Sequence, residues 1–253
     1  MNPEVTVIMP AYNLQHIIVD SIREVCRVLD GFVESYEIIV IDDGSEDDTY
    51  KAALSLADGR RIKVLRNNIN KGKGFTLKKG SLYANGEYTV FLDADMEIDP
   101  RQIFRYVSAL KHVDMVIASK RHPASTYEAP LIRKILSLGF NILVKLLTGI
   151  KVSDTQTGCK AFKTEALKTI MHLIVVKRYA FDVELLIVAK LLNLKIIELP
   201  VKVKLSKRFS FKSILRMLLD LLGITYRLRV VKWYQKKIKN LRLNLKSTHN
   251  NSM

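Results

Sequence analysis

The chain has 253 residues, which is long enough to bury a sizeable core as one domain or as one domain with an appendage. Its two cysteines, Cys26 and Cys159, are too few for a disulfide framework or a cysteine metal cluster. Its formal net charge of +16 indicates polyanionic partners, a class that includes nucleic acids, anionic lipid headgroups and phosphorylated substrates.

Short apolar runs alternate with helical segments through the first half of the chain. Strands are predicted at residues 5–9, 36–41, 62–65, 87–92 and 114–118, and helices at 17–29, 45–57, 75–84 and 101–111. Ser45, followed by Asp48, resembles a capping box at the start of the second helix. Because the strands are apolar on both faces, the pattern predicts an α/β fold with a mostly parallel sheet flanked by helices.

Amphipathic helices dominate the second half of the chain. Residues 131–148 are mostly apolar, with a narrow polar stripe that includes Arg133, Ser137 and Asn141, and residues 212–229 have a similar pattern. From residue 201 onward, 14 Lys and Arg residues oppose one acid, Asp220, so this segment has a net charge of +13. Such helices either pack into a core or lie in a membrane interface, and the local charge favours the interface.

Two carboxylates follow the fourth predicted strand, in the sequence Asp93-Ala94-Asp95, and Glu97 adds a third. Carboxylates at the end of a buried strand are costly unless a cation neutralises them, and Mg²⁺ and Mn²⁺ prefer such oxygen ligands. The alternative is a solvated acidic loop. Polar motifs also follow the first two strands, and the carboxyl ends of parallel strands form ligand sites, so a metal site is favoured.

Seven short motifs follow one another along the chain. They are Pro10-Ala11-Tyr12-Asn13, Asp42-Asp43-Gly44-Ser45, Asn70-Lys71-Gly72-Lys73-Gly74 with Gly80, Asp93-Ala94-Asp95, Ser119-Lys120-Arg121-His122, Asp154-Thr155-Gln156-Thr157-Gly158-Cys159-Lys160 and Tyr179-Ala180-Phe181-Asp182-Val183-Glu184-Leu185-Leu186. Over roughly residues 4–215 this series resembles the family 2 glycosyltransferases of the GT-A fold. It is most similar to the branch that makes dolichyl-phosphate (polyprenyl-phosphate) glucose or mannose, and the last two motifs favour the glucose enzymes.

The resemblance implies a metal-dependent, inverting hexosyltransferase. Such an enzyme moves glucose or mannose from a nucleotide-diphosphate sugar to dolichyl or polyprenyl phosphate, with UDP-glucose favoured over GDP-mannose as the donor. The metal, Mg²⁺ or Mn²⁺, is expected at Asp93, Asp95 and Glu97, where it would neutralise charge on the leaving diphosphate.

The resemblance also implies which residues bind the donor. They are Pro10, Tyr12, Asn13, Asp42, Asp43, Lys73, Asp93, Ala94, Asp95 and Arg208. Among these, Asp42 is expected at the base or ribose, and Tyr12 walls the base unless it serves simple packing. Lys73 lies between two glycines and can approach a phosphate closely, although a solvated lysine in a glycine-rich turn is the alternative.

The acceptor side requires cations. Lys120, Arg133 and Lys212 are the candidates for the acceptor phosphate, and Asp95, Lys120, Arg133 and Asp182 are the candidate catalytic residues. A phosphate monoester has its second pKa near ~6, so it is nucleophilic at neutral pH without a strong general base. If the acceptor is instead a hydroxyl of a lipid-linked or surface glycan, a base is needed, and Asp182 or Glu184 would supply it.

Three regions are therefore expected. Residues 1–205 form the catalytic domain, whose 131–148 helix is a candidate interface element; residues 206–235 form an amphipathic membrane-associating segment; residues 236–253 form a basic disordered tail. No signal-peptide pattern and no uncharged apolar stretch of about 18 residues is found, so no transmembrane helix is expected. The protein is expected to be peripheral, at the cytoplasmic face of an anionic membrane. A homo-oligomer or a membrane-protein partner is an open possibility. No nucleic acid partner is expected, since no nucleic-acid-binding module is recognised.

Overall fold

A seven-stranded sheet forms the centre of the fold. The computed structural model describes residues 2–204 and 211–250, except for the side chains of residues 211–213 and 244–250. The strands are β1 (Val5–Ala11), β2 (Tyr36–Asp42), β3 (Ile62–Arg66), β4 (Tyr88–Leu92), β5 (Met115–Ser119), β6 (Thr126–Glu128), β7 (Cys159–Lys163), β8 (Ile196–Pro200) and β9 (Lys202–Lys204). The central sheet has the order β3-β2-β1-β4-β7-β5-β8, and β6 pairs with β9 in a separate two-stranded sheet.

Helices connect most of the strands. They are α1 (Ile18–Asp30), α2 (Thr49–Leu54), α3 (Lys73–Ser81), α4 (Ile103–Ala109), α5 (Leu131–Thr148), α6 (Thr164–Leu173), α7 (Phe181–Leu191), α8 (Phe211–Thr225) and α9 (Trp233–Asn250). A 3₁₀ turn, Pro100–Gln102, precedes α4, and a π-helical turn, Tyr226–Val230, separates α8 from α9. Two clusters of buried apolar side chains cover the two faces of the sheet, one packed against α1 and α4 and the other against α6 and α7.

The direction of the strands determines where the motifs meet. Strand β1 pairs in parallel with both β2 and β4, so the loops after these three strands leave the same edge of the sheet. Strand β7 is antiparallel to β4 and β5, with Cys159 opposite Leu92. The loop that enters β7 therefore lies beside Asp93, at the edge where β4 ends. The predicted α/β fold with a mostly parallel sheet flanked by helices is confirmed.

Helix α2 begins later than the predicted capping box requires. The helix starts at Thr49, and its first turn has no side-chain cap at Asp48. The Ser45 hydroxyl instead accepts the backbone N–H of Asn13 at 2.9 Å. Asn13 has a positive φ of 51° and in turn accepts the N–H of Glu46 at 3.0 Å, so Ser45 links the loops after β1 and β2. The prediction of Ser45 as a helix cap is wrong because a tertiary contact competes for its hydroxyl.

The end of the chain is helical further than its composition suggests. Residues 236–250, predicted as part of a disordered tail, belong to α9. Tyr234 and Ile238, one helical turn apart, are 0 % and 5 % exposed, and α9 packs against α6 and α7. A stripe of apolar side chains thus attaches a helix that is otherwise basic and polar.

Helix α5 has the predicted bounds, but much of its apolar surface faces away from the protein. Asn141 and Thr148 of the polar stripe are buried. Seven large apolar side chains of α5 are exposed: Leu131, Ile132, Ile135, Leu136, Leu138, Ile142 and Leu146. Helix α8, which packs against α5, also exposes apolar side chains, namely Leu215, Leu219 and Leu222. Among the described residues, no helix combines the length and the hydrophobicity needed to cross a lipid bilayer.

Candidate active site

Two cavities adjoin at the edge of the sheet where β1, β2 and β4 end. The first has a volume of about 480 Å³ and the second a volume of about 550 Å³. Lys73, Asp93, Asp95 and Tyr179 line both cavities. A group bound in the first cavity and a group bound in the second would therefore meet at the Asp93-Ala94-Asp95 motif.

The first cavity is built mainly from the residues that the sequence assigned to a donor. Eight of the ten candidates line it: Pro10, Tyr12, Asn13, Asp43, Lys73, Asp93, Ala94 and Asp95. Tyr12 is 41 % exposed, so its ring is not packed into the core and offers a face to a planar ligand. Of the other two candidates, Asp42 does not line the cavity, and Arg208 is outside the described residues.

The adjacent carboxylates Asp42 and Asp43 have different structural roles. Asp42 is 0 % exposed and forms an ion pair with Arg66, with an Oδ2–Nε distance of 3.0 Å. Asp43 accepts the backbone N–H groups of Lys71 at 2.9 Å and Gly72 at 2.8 Å. Asp43 therefore fixes the glycine-rich turn that carries Lys73, while the fully buried Asp42 is engaged with Arg66.

Lys73 and Asp93 form an ion pair at the junction of the cavities. The Lys73 Nζ lies 2.6 Å from Asp93 Oδ1 and 2.8 Å from Asp93 Oδ2. Burial lowers the pKa of Lys73, but the charges of Asp93, Asp182 and Asp95 outweigh burial and raise it above its usual value. Burial and the Asp95 charge raise the pKa of Asp93, and the Lys73 charge opposes this increase. Lys73 is thus a cation held among carboxylates at the junction of the two cavities.

Close packing holds Asp93 in position. A Cβ atom added to Gly158, in the loop that enters β7, would lie 2.9 Å from Asp93 Cγ and closer still to Oδ2. Gly74, after Lys73, is similarly packed against Phe181, where an added Cβ would lie 2.6 Å from the phenylalanine Cβ. Only glycine fits at these two positions without displacing a neighbour.

The donor atoms at Asp93 and Asp95 suit a divalent cation that is shared with a substrate. Within residues 2–204 and 211–250, no group of three or more His, Cys, Asp or Glu side chains is placed to hold a metal ion. The predicted set of Asp93, Asp95 and Glu97 is therefore not assembled, and Glu97 follows a left-handed residue, Met96, with a φ of 58°. Two carboxylates that line both cavities still fit Mg²⁺ or Mn²⁺, because these ions commonly take few protein ligands and complete their shell with phosphate oxygens and water.

The second cavity combines charged groups with apolar walls. Lys120, Arg133 and Asp182 line it, as does Glu97. Its apolar side chains come from α5 and α8: Ile135, Leu136, Phe140, Leu143, Ile214, Met217 and Leu218. The Lys212 side chain is not among those described. A ligand with a charged head and an apolar chain matches this arrangement.

Two buried lysine–aspartate pairs stabilise the wall of the second cavity. Lys120 Nζ lies 2.8 Å from Asp154 Oδ2, and Lys160 Nζ lies 2.7 Å from Asp182 Oδ1. Burial lowers the pKa of Lys120, with the Asp154 charge opposing the change. Burial raises the pKa of Asp154, but the Lys120 charge and its hydrogen bonds outweigh burial and lower it to about 2. The first pair joins the residue after β5 to the loop before β7, and the second joins β7 to α7.

Among the cavity residues that the sequence did not assign are a cation and an aromatic side chain. Arg178 lines the first cavity, and Tyr179 lines both. Both lie in the loop between α6 and α7. Tyr179 opens the last of the seven motifs, and that membership could have marked it as a site residue. For Arg178 the sequence offers only its position next to Tyr179.

Glu184 in the same motif is a structural residue. It is 0 % exposed and does not line either cavity, and its carboxylate accepts the N–H groups of Val175 at 2.9 Å and Val176 at 2.7 Å. A carboxylate engaged in this way is not placed to take a proton from a bound hydroxyl. Asp182, by contrast, lines the second cavity.

Comparison with known proteins gives consistent results. A sequence profile of Glycosyl transferase family 2 matches residues 6–171. A dolichyl-phosphate beta-glucosyltransferase from Dictyostelium discoideum is 32% identical, over 94% of this chain and 78% of that protein. A protein of the same name from Drosophila melanogaster is 33% identical, over 93% of this chain and 80% of that protein.

A solved structure shares the fold. Glucosyl-3-phosphoglycerate synthase from Mycobacterium tuberculosis superposes with a TM-score of 0.70 at 21% sequence identity, over 88% of this chain and 80% of that chain. That crystal structure contains Mn²⁺, UDP-glucose and phosphoglyceric acid. At this identity the likeness establishes a common fold and does not by itself transfer a substrate.

Proposed function

This chain is a family 2 glycosyltransferase of the dolichyl-phosphate glucosyltransferase type, and from that premise we propose that it transfers glucose from UDP-glucose to dolichyl or polyprenyl phosphate. GDP-mannose is the second candidate donor. The observation that carries the proposal is the meeting, at Asp93 and Asp95, of a cavity lined by most of the donor candidates and a second cavity that combines Lys120 and Arg133 with apolar walls from α5 and α8. Each cavity suits one of the two substrates.

On the donor side, the side chains bind the nucleotide and the diphosphate. Tyr12 packs against the base, and Asp43 holds the turn that brings Lys73 to the diphosphate. Asp93 and Asp95 would hold Mg²⁺ or Mn²⁺, which when bound neutralises negative charge on the diphosphate. Lys73 and Arg178 add positive charge around the same leaving group, so the carbon–oxygen bond to the sugar is weakened toward departure.

On the acceptor side, the side chains position a phosphate. Lys120 and Arg133 attract the phosphate headgroup, and the apolar side chains of α5 and α8 receive the start of the polyprenyl chain. A phosphate oxygen then forms a bond to the anomeric carbon on the face opposite the departing diphosphate, which inverts that centre. Because the phosphate dianion is already nucleophilic near pH 7, no side chain has to remove a proton.

Transfer to a hydroxyl of a lipid-linked or surface glycan is not favoured by the site. That reaction needs a general base in the acceptor cavity. Glu184 is buried and already accepts hydrogen bonds from two backbone amides, and Asp182 is paired with Lys160. Neither carboxylate is arranged as a free proton acceptor.

A direct assay tests the proposed reaction. We expect radiolabelled UDP-glucose and dolichyl phosphate to give a labelled lipid product that GDP-mannose gives much more slowly. Treatment with a chelator should abolish product formation, and added Mn²⁺ or Mg²⁺ should restore it. Label that appears only on a glycan hydroxyl would refute the phosphate acceptor, and full activity in excess chelator would refute the metal.

The exposed apolar faces of α5 and α8 are proposed to lie in the cytoplasmic surface of an anionic membrane, so that the second cavity opens toward the lipid acceptor. Seven large apolar side chains of α5 are exposed, although its polar residues Asn141 and Thr148 are buried. An apolar face presented outward beside a segment of net charge +13 suits the anionic surface.

A double substitution on α5 tests membrane binding. The variant L138E/I142E places two charges on the exposed face, at side chains that do not line the cavity. We expect at least about a tenfold loss of binding to phosphatidylserine-containing liposomes in flotation. The control L54E/L82E makes the same charge change at exposed leucines elsewhere and should bind normally. Equal flotation of the two variants would contradict the proposal.

A further inference from the structure

The loop between α6 and α7, residues 174–180, brings Arg178 and Tyr179 to the donor cavity. This loop lies just beyond residue 171, where the family profile ends. Two of its backbone amides, those of Val175 and Val176, donate to Glu184 Oε2 at 2.9 and 2.7 Å. The position of the loop therefore depends on where the Glu184 carboxylate is held.

The other oxygen of Glu184 is bound by the C-terminal segment. The hydroxyl of Tyr234, the second residue of α9, donates to Glu184 Oε1. Arg227, in the π-helical turn before α9, places Nη2 3.5 Å from the same oxygen and donates from Nε to the Tyr234 hydroxyl at 3.1 Å. One carboxylate thus connects the C-terminal helices on one side with the 174–180 loop on the other.

Burial makes this connection rigid. Glu184 and Tyr234 are both 0 % exposed, so water does not replace a lost hydrogen bond. Burial and the Glu184 charge raise the pKa of Tyr234, against the opposing effect of Arg227, so the phenol keeps its proton and remains a donor. Without the Tyr234 hydroxyl, the buried Glu184 Oε1 would keep only Arg227, at 3.5 Å, as a partner. We expect the carboxylate to shift toward Arg227 to shorten this contact.

Movement of the loop would reach the donor residues directly. The carbonyl of Lys177 accepts the N–H of Phe75 at 3.0 Å, in the first turn of α3 and two residues after Lys73. A Cβ on Gly72 would lie 2.7 Å from both the Lys177 carbonyl oxygen and Arg178 Cγ, so the loop and the glycine-rich turn are in close contact. The loop therefore touches the turn that carries Lys73 and itself carries Arg178.

We propose that Tyr234 and Arg227 are positioning residues for the nucleotide-diphosphate site, acting through Glu184 on the 174–180 loop. The inference rests on the proposed function, because it assigns the first cavity to a nucleoside diphosphate. It extends that function to a part of the chain outside the family profile. The C-terminal helices then serve donor binding in addition to presenting the apolar face of α8.

The variant Y234F removes the one hydroxyl and keeps the ring. We expect UDP to bind the full-length variant about tenfold more weakly in titration calorimetry with Mn²⁺ present. In the transfer assay the KM for the donor should rise by a similar factor, with kcat changed less than threefold. Hydrogen exchange of peptides that span residues 174–180 should accelerate. A merely structural loss would instead reduce the active fraction, and hence kcat, at constant KM.

Matched controls separate positioning from general damage. Tyr226 is 58 % exposed, and Y226F should bind UDP as the wild type does. Trp233 is the only tryptophan of the chain and its ring lies 5.1 Å from that of Tyr234, so its fluorescence reports whether α9 remains docked. The variant R227Q, which keeps the Tyr234–Glu184 bond, should weaken UDP binding in the same direction but by less.

The outcomes are distinct. Unchanged UDP affinity and unchanged exchange of the 174–180 peptides in folded Y234F would overturn the inference. If Y234F does not fold, the inference is tested with R227Q instead. Unchanged UDP affinity of folded R227Q would also overturn the inference. Failure of the wild type to bind UDP or GDP in the presence of Mn²⁺ would instead refute the proposed function, which makes the two failures distinguishable.

Discussion

Replacing Asp95 with asparagine is expected to reduce kcat for sugar transfer by at least about a thousandfold. Asp95 lines both cavities and lies where the donor and the acceptor would meet. The substitution removes one negative charge and one of the two proposed metal ligands while keeping the shape of the side chain. Transfer of radiolabelled glucose at saturating donor and acceptor measures the effect.

A second measurement shows whether the loss comes from the metal. Binding of Mn²⁺ in the presence of UDP, followed by electron paramagnetic resonance, should weaken at least about tenfold in D95N. Asp99 provides a matched control, because it follows the same strand but pairs with Arg101 at 2.6 Å and lines neither cavity. D99N should transfer sugar within about twofold of the wild type. A folded D95N that keeps more than a tenth of the activity would show that this carboxylate is not a metal ligand.

Replacing Gly158 with alanine is expected to lower kcat about a hundredfold, although the new methyl group has no chemistry of its own. Its Cβ would lie 2.9 Å from Asp93 Cγ, so either the Asp93 side chain or the loop before β7 has to move. Asp93 also holds Lys73, at 2.6 Å, and both groups are proposed to act on the diphosphate. Displacement of reacting groups by about 1 Å is enough to cost a factor of this size.

The comparison for this variant is another glycine on the same chain. Gly31, after α1, has a φ of −89°, and an added Cβ would be no closer than 3.8 Å to a neighbouring atom. G31A should therefore keep wild-type kcat. Thermal melts followed by circular dichroism would establish that G158A is folded. Activity of folded G158A within threefold of the wild type would mean that Asp93 tolerates displacement, contrary to the proposed role of this carboxylate.

Much of the candidate site was predictable because its residues are grouped in short motifs after strands. The apolar runs identified β1, β2 and β4, and the carboxyl ends of parallel strands must meet at one edge. Eight of ten donor candidates consequently line one cavity, and Lys120, Arg133 and Asp182 line the other. For the motifs after β1, β2 and β4, position along the chain and position in space are related by this rule, whereas Arg133 lies in α5 and Asp182 in α7.

Other assignments depended on contacts that local sequence does not contain. Asp42 and Asp43 are neighbours with similar surroundings in the sequence, yet Asp42 pairs with Arg66 and Asp43 binds the turn at Lys71 and Gly72. Ser45 has the spacing of a helix cap but bonds to Asn13. In each case a partner more than twenty residues away decided between two uses of the same side chain.

The sequence by itself determined the fold class, the family and the motifs, because alternating apolar runs and ordered motifs are properties of the chain alone. The tertiary structure decided which face of α5 is exposed, since periodicity separates the faces of a helix without stating which one meets the protein. It also decided that Glu184 is held by Tyr234, fifty residues later. Such pairings arise only when strands and helices pack, because burial then forces each polar group to find a partner wherever the fold supplies one.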